Sequence, residues 1–286
     1  MTNVVKLICE FCPVCGILRY LRVARKVRVI QPEKGGAMKL QFAGVGSAFT
    51  TQDYYQSNAV IRPDTGKVFL IDCGSDARFS LGEIGLSHRD IDAVYISHLH
   101  ADHIGGLEWL GFCTYFDPQA SKPKLFIVDS LVEPLWDSLK GGMQSHEGIV
   151  LTLDSFFDVT TVQINNCFTW KSVRFCPIQT VHVMNGLGIV PSYGLIINDK
   201  TFFTTDTQFC PRQIEKFYDM ADIVFHDCET YPFKSGVHAH YDDLKTLPDK
   251  HKEKMWLYHY GPNPPQNPTE DGFQGFVVRG QEFELK

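Results

Sequence analysis

The feature that most limits what this chain can fold into is an apolar run, Ala93-Val94-Tyr95-Ile96, ending in Ser97-His98-Leu99-His100-Ala101-Asp102-His103. A buried strand that stops in such a cluster delivers its side chains to the C-terminal edge of a sheet, where α/β proteins build their sites. Imidazoles at alternate positions can share a side, while Asp102 and His103 turn toward a second point nearby, which suits two metal ions sharing one water. Three further residues follow β-type runs. His182 comes after Ser172-Val173-Arg174-Phe175 and Cys176–Val181, Asp206 lies in Phe202-Phe203-Thr204-Thr205-Asp206-Thr207, and His259 in Met255-Trp256-Leu257-Tyr258-His259-Tyr260. Each alone could be an ordinary polar residue at a strand end.

Counting ligands points to a catalytic rather than a structural site. His98, His100 and His182 would give one ion three imidazoles. Asp102, His103 and His259 would serve the other, with Asp206 as the bridge. Nitrogen and oxygen donors without thiolate suit Zn²⁺, with Mn²⁺ as the alternative. A structural zinc site is normally closed by four ligands, whereas seven ligands for two ions leave room for a bridging hydroxide.

With 286 residues, the chain can form one large two-sheet domain. Short apolar runs such as Lys67-Val68-Phe69-Leu70-Ile71 and Gly194-Leu195-Ile196-Ile197 alternate with turn signals in two similar halves, about 38–150 and 151–286. No 20-residue apolar run marks a membrane span. Nine cysteines, an odd number without framework spacing, favour reduced thiols and a cytoplasmic setting over disulfides.

The first 37 residues differ in character. They hold seven of the 27 Lys/Arg but two of the 33 Asp/Glu, so the remainder carries a net charge of −11. Cys9, Cys12 and Cys15 could begin a zinc site, yet no fourth ligand lies nearby, and Lys6 and Glu10 interrupt any signal-peptide core. The expectation is a leader over 1–37, with translation natively starting at Met38, and a single metallo-hydrolase domain over 38–286.

Ser97–Gly106 resembles the signature of the metallo-β-lactamase superfamily, and Phe69-Leu70-Ile71-Asp72-Cys73-Gly74 resembles the strand preceding it there. The resemblance runs from about Met38 to the C-terminus. It implies an α/β fold, a four-layer αββα sandwich with metals at one edge of the sheets, and Asp72 supporting the ligands from behind. Asp206 and His259 resemble the phosphodiesterase branch; β-lactamases place a cysteine where Asp206 stands, and Cys210 is the nearby competitor.

Within that branch, Phe42–Phe49 resembles the Gly-rich opening of tRNA 3′-processing endonucleases, and Val237-His238-Ala239-His240-Tyr241 the segment holding their proton-donating histidine. No counterpart of their long Gly/Pro-rich arm is evident between Asp129 and Trp170. The acidic balance also disfavours a nucleic-acid partner, which needs a basic footprint. The closer resemblance is to the compact anti-Pycsar cyclic-nucleotide phosphodiesterases. It implies hydrolysis of a small 3′,5′-cyclic nucleotide by a metal-bound hydroxide, and a homodimer.

In that reading Asp102 orients the nucleophile as well as binding metal. His238 is the first candidate for proton donor and His240 the second, each with a surface or capping role as the alternative. Asp227 could orient the donor imidazole, whereas His226 reads as a satisfied buried histidine and His88, His146 and His251 as solvated. Base recognition would use aromatic faces, with Phe112, Tyr115, Phe116 and Tyr193 as candidates and core packing as the alternative for each. A tRNA 3′-processing-type endoribonuclease and a thioester or lactone hydrolase are competing activities of the same fold, and a non-catalytic binding module is the alternative from another class.

Overall fold

The computed structural model describes residues 6–11, 18–23, 38–164 and 166–285. The chain divides into two units, Met1–Gly35 and Gly36–Lys286. In the first, Lys6–Phe11 pairs antiparallel with Leu18–Val23. Of the Cys9, Cys12 and Cys15 triplet, Cys12 and Cys15 lie outside the described residues.

In the second unit, the strands are β1 (Met38–Gly44), β2 (Asn58–Pro63), β3 (Val68–Ile71), β4 (Ile91–Ile96), β5 (Lys124–Val128), β6 (Asp158–Val162) and β7 (Phe168–Trp170). They continue as β8 (Val173–Asn185), β9 (Gly188–Ile197), β10 (Thr201–Phe203), β11 (Ile223–Asp227), β12 (Met255–Tyr258), β13 (Gly275–Phe276) and β14 (Glu282–Leu285). One seven-stranded sheet has the order β6-β5-β4-β3-β2-β1-β14, the other β7-β8-β9-β10-β11-β12-β13. The parallel strands β3 and β4 are buried almost throughout, which is why they read as continuous apolar runs. On the antiparallel β1, Met38, Leu40 and Phe42 are buried while Lys39 and Gln41 are partly exposed, the two-residue period of a strand.

The sheets face each other across an aromatic layer. Phe42 lies 5.2–5.7 Å, centroid to centroid, from Phe203, Phe225 and Tyr258, and Phe69 stacks on Phe175 at 4.6 Å. Alternation then turns Phe202, Val224 and Leu257 to the opposite face, where Ile214 and Tyr218 of the helix Pro211–Met220 cover them. On the other side, the helix Asp129–Met143 buries Leu131, Leu135, Leu139 and Met143 at four-residue spacing, one helical stripe. Two helical layers thus enclose two sheets, the four-layer metallo-β-lactamase fold.

The structure departs from the sequence reading in three places. The two sheets divide after β6 rather than near residue 150, and β14 returns to pair with β1. Phe283 on β14 explains the return, packing on Phe225 at 4.7 Å and Trp256 at 5.1 Å. Cys167 and Cys176 form a disulfide, against the expectation of reduced thiols. They flank the Phe168–Phe175 pair on adjacent antiparallel strands, which brings their Cα atoms to 4.2 Å, a proximity their spacing in the chain does not announce. His251 is buried rather than solvated, with Nε2 2.8 Å from Asp219 Oδ1. Among the described residues, no helix is long and apolar enough to cross a membrane.

Candidate metal centre

Strand ends build this site. His98 and His100 follow β4, and Asp102 and His103 open the short helix Ala101–Ile104. His182 sits where the register of β8 against β9 shifts between Val181 and Val183, an irregularity of the kind that re-aims a side chain. Asp206 follows β10 and His259 follows β12. Asp72, Thr205 and His259 have φ of 60°, 52° and 63°. Left-handed backbone at three non-glycine residues bordering one cluster is strain held by the surrounding fold, about 1–3 kcal/mol each.

All seven expected ligands come together. Ligand atoms of His98, His100, His182 and Asp206 lie within 4.8 Å of one another, as do those of Asp102, His103, Asp206 and His259. His100 Nδ1 is 3.1 Å from both His98 Nε2 and His182 Nε2, and each of those two is 3.6 Å from Asp206 Oδ2. On the other side, Asp102 Oδ2 is 3.2 Å from both His103 Nε2 and His259 Nε2. Asp206 reaches both groups, with Oδ2 3.3 Å from His103 and Oδ1 3.5 Å from His259. His103 Nε2 and Asp206 Oδ1 are buried without a hydrogen-bond partner. Orphaned ligand atoms of this kind, converging from five imidazoles and two carboxylates, fit a pair of divalent cations. Cys210 precedes the helix Pro211–Met220 and belongs to neither group.

A layer of hydrogen bonds orients these ligands. Asp72 Oδ2 is 2.8 Å from His103 Nδ1 and accepts from Ser97 Oγ, while Oδ1 accepts from Ser97 N. His182 Nδ1 lies 2.7 Å from the Val237 carbonyl. Asp227 Oδ2 accepts from Thr207 N and lies 2.9 Å from His238 Nδ1, and its Oδ1 is 3.3 Å from His259 Nδ1. Partners of this type fix the tautomer and plane of a ligating ring. The parts played by Ser97 and the Val237 carbonyl escaped sequence reasoning; a backbone acceptor has no residue-type signal.

Electrostatics split the histidines into two sets. Burial pushes His98, His100 and His182 down, toward the neutral form that ligates. Burial also opposes charge on His103 and His259, but Asp206 and Asp102 outweigh it and hold both well above the usual range. Asp102 and Asp206 resist burial in turn, kept ionised chiefly by His103. His238 is raised because Asp227 and Asp206 overcome its burial.

The remaining candidates fall elsewhere. His240 caps the helix Tyr241–Leu244, its Nδ1 accepting from Asp242 N and its Nε2 2.8 Å from the Tyr231 carbonyl, so neither nitrogen is free for a substrate. Tyr193 is 2% exposed and ties β9 to the metal loop, its N donating to Ser97 O and its carbonyl accepting from Tyr95. Phe112, Tyr115 and Phe116 pack on one another, Phe156 and His146. They lie on the helix Leu107–Phe116, where Phe112 lines a cavity with Gly105 and Gly106. His226 is a satisfied buried histidine, 2.6 Å from both Tyr218 Oη and the Asp227 carbonyl.

The family model for the anti-Pycsar protein Apyc1 matches residues 38–283. The chain belongs to that family. A member from Paenibacillus harenae, an anti-Pycsar protein Apyc1, is 36% identical over 253 residues, covering 87% of this chain and all of the relative. Among solved structures, the metallo-β-lactamase fold protein YhfI from Bacillus subtilis superposes with a TM-score of 0.68 at 19% identity, covering 87% of this chain and all of that one. The short form of human tRNase Z gives 0.61 at 17% identity, covering 86% and 98%. In this family member the span from Asp129 to Trp170 is taken up by the helices Asp129–Met143 and Leu153–Phe156, the small hairpin of Ser145–His146 and Ile149–Val150, and strands β6 and β7.

Proposed function

We propose that the chain is a binuclear, divalent-metal phosphodiesterase, with Zn²⁺ the favoured ion and Mn²⁺ the alternative, that opens the phosphodiester of 3′,5′-cyclic nucleotides. We further propose that it acts as a homodimer, which its resemblance to that family implies. The observation carrying the reading is the convergence of both ligand groups on Asp206 beside an Asp227–His238 pair. His98, His100, His182 and Asp206 would hold one cation, and Asp102, His103, His259 and Asp206 the other. When bound, the cations acidify water and offset charge on the phosphoryl oxygens.

The chain's own groups do the rest. Asp102 orients the attacking water by accepting a hydrogen bond from it. Asp227 holds Nδ1 of His238, which leaves Nε2 to deliver a proton to the departing 3′ oxygen. Asp227, with Asp206, favours the protonated form of His238 against its burial. The net charge of −11 from Met38 onward and the short elements between Asp129 and Trp170 support a small substrate over tRNA.

Turnover of cyclic AMP, tRNA precursor and an acyl thioester by metal-loaded protein tests the reading. Cleavage of cyclic AMP is expected, with His238→Ala lowering kcat about 10²–10⁴-fold at unchanged metal content. Turnover of the thioester or the tRNA precursor alone would overturn it.

A further inference from the structure

Two exposed aromatic residues lie on loops whose feet adjoin the candidate ligands. Phe233 is 65% exposed and stacks on Tyr231, with centroids 5.8 Å apart and planes 16° from parallel. Phe49 is 86% exposed. The two loops that carry these rings both start at the site. Glu229–Ala239 runs from the residue after Cys228 to the residue after His238, and its feet are joined by Glu229 N donating to the Ala239 carbonyl. The loop holding Phe49 is anchored by His259 N donating to Val45 O and Ser47 N donating to Tyr260 O.

Tyr231 sits between these loops. Its hydroxyl is 3.4 Å from Ser47 Oγ, and its carbonyl faces His240 Nε2. Its ring covers Gly261 so closely that a Cβ there would fall 2.8 Å from Cζ. Gly261 is two residues beyond His259, hence within about 7 Å of it along the chain. The backing ring is therefore fixed beside the cations' ligands, and the outer ring presents an open π-face to solvent. Exposed stacked aromatics bury little of their apolar area, so folding alone does not account for them.

We propose that Phe233, backed by Tyr231, and Phe49 grip the nucleobase of the substrate, an inference that rests on the cyclic-nucleotide reading above. Stacking area is larger for a purine than for a pyrimidine, so the grip favours a purine base.

Steady-state kinetics of wild type, Phe233→Ala, Phe49→Ala, Phe233→Trp and Phe79→Ala on cyclic AMP, cyclic CMP and an abasic ribose 3′,5′-cyclic phosphate test this, with metal content and molar mass measured on each variant. Phe79, exposed on the helix Ala77–Glu83, is the control and leaves turnover unchanged. Phe233→Ala is expected to raise KM for cyclic AMP by about 5- to 150-fold relative to any change with the abasic substrate. It should also narrow the gap between cyclic AMP and cyclic CMP, while Phe233→Trp restores both. Wild type that cleaves cyclic AMP but not the abasic compound also supports a required base contact. Equal effects on both substrates, no effect, or a change confined to molar mass overturns the aromatic grip and leaves the phosphodiesterase standing. Wild type inert toward every cyclic nucleotide overturns both.

Discussion

Asp72 never reaches the cations' positions, yet it decides what His103 can do. With its carboxylate 2.8 Å from Nδ1, the ring keeps its proton there and turns Nε2 toward Asp102 and Asp206. Asp72→Asn keeps the shape and loses the charge-assisted bond, so cation affinity should fall about 10–100-fold in a chelator competition, with the far-UV spectrum unchanged. Unaltered affinity would remove Asp72 from the account. The two sets of histidines also give a signed pH dependence. His98, His100 and His182 are pushed toward neutrality by burial and bind without losing protons, whereas His103 and His259, raised by Asp206 and Asp102 against their burial, hold protons at neutral pH until a cation arrives. Loading therefore releases protons and strengthens as pH rises. Calorimetry at pH 7 in buffers of different ionisation enthalpy should read net release, and uptake would contradict it. At this scale the sequence was legible where ligands are contiguous, as in His98–His103, or follow β strands, as Asp206 and His259 do, whereas His182 lies within β8 at its irregularity rather than at a run's end. The sequence did not reveal that Tyr193, offered as a base-stacking face, is buried on its strand.

Close backbone contact between two loops sets the position of the second ligand group. Gly74, just after β3, has room for no side chain: a Cβ would stand 2.2 Å from the Asp102 carbonyl and 2.8 Å from Gln56 Oε1. Gly106 is equally tight against the Gly74 carbonyl. Gly74→Ala must push the Asp102–His103 turn outward, so it should lose one of two bound metal equivalents while keeping the other, read by elemental analysis. Retention of both would show that the turn relocates freely. The apolar runs of β3, β4 and β10 were readable because parallel or central strands are buried on both faces. The register shift that aims His182, the left-handed residues that end β3 and β12, and the Cys167–Cys176 bridge were not, since each arises from pairing between strands rather than from composition.

At the scale of the molecule, two sheets meet across Phe42, Phe69, Phe175, Phe203 and Tyr258, and their edges bring four buried carboxylates, Asp72, Asp102, Asp206 and Asp227, into one place. Such a concentration of negative charge in a buried site is costly unless compensated. From Met38 onward the chain carries a net −11, and among the described residues the groups facing these carboxylates are histidines. The fold class was legible through family resemblance, since its signature residues are contiguous, whereas the exchange of β14 into the first sheet depends on Phe283 finding Phe225 and Trp256. The central claim is that this arrangement exists to hold two cations. Anomalous diffraction from crystals of zinc-loaded protein, collected on both sides of the zinc absorption edge, addresses it directly. We expect two peaks per chain, one among His98, His100 and His182 and one among Asp102, His103 and His259, each within ligand distance of Asp206. A single peak, or two that do not share Asp206, would contradict the account.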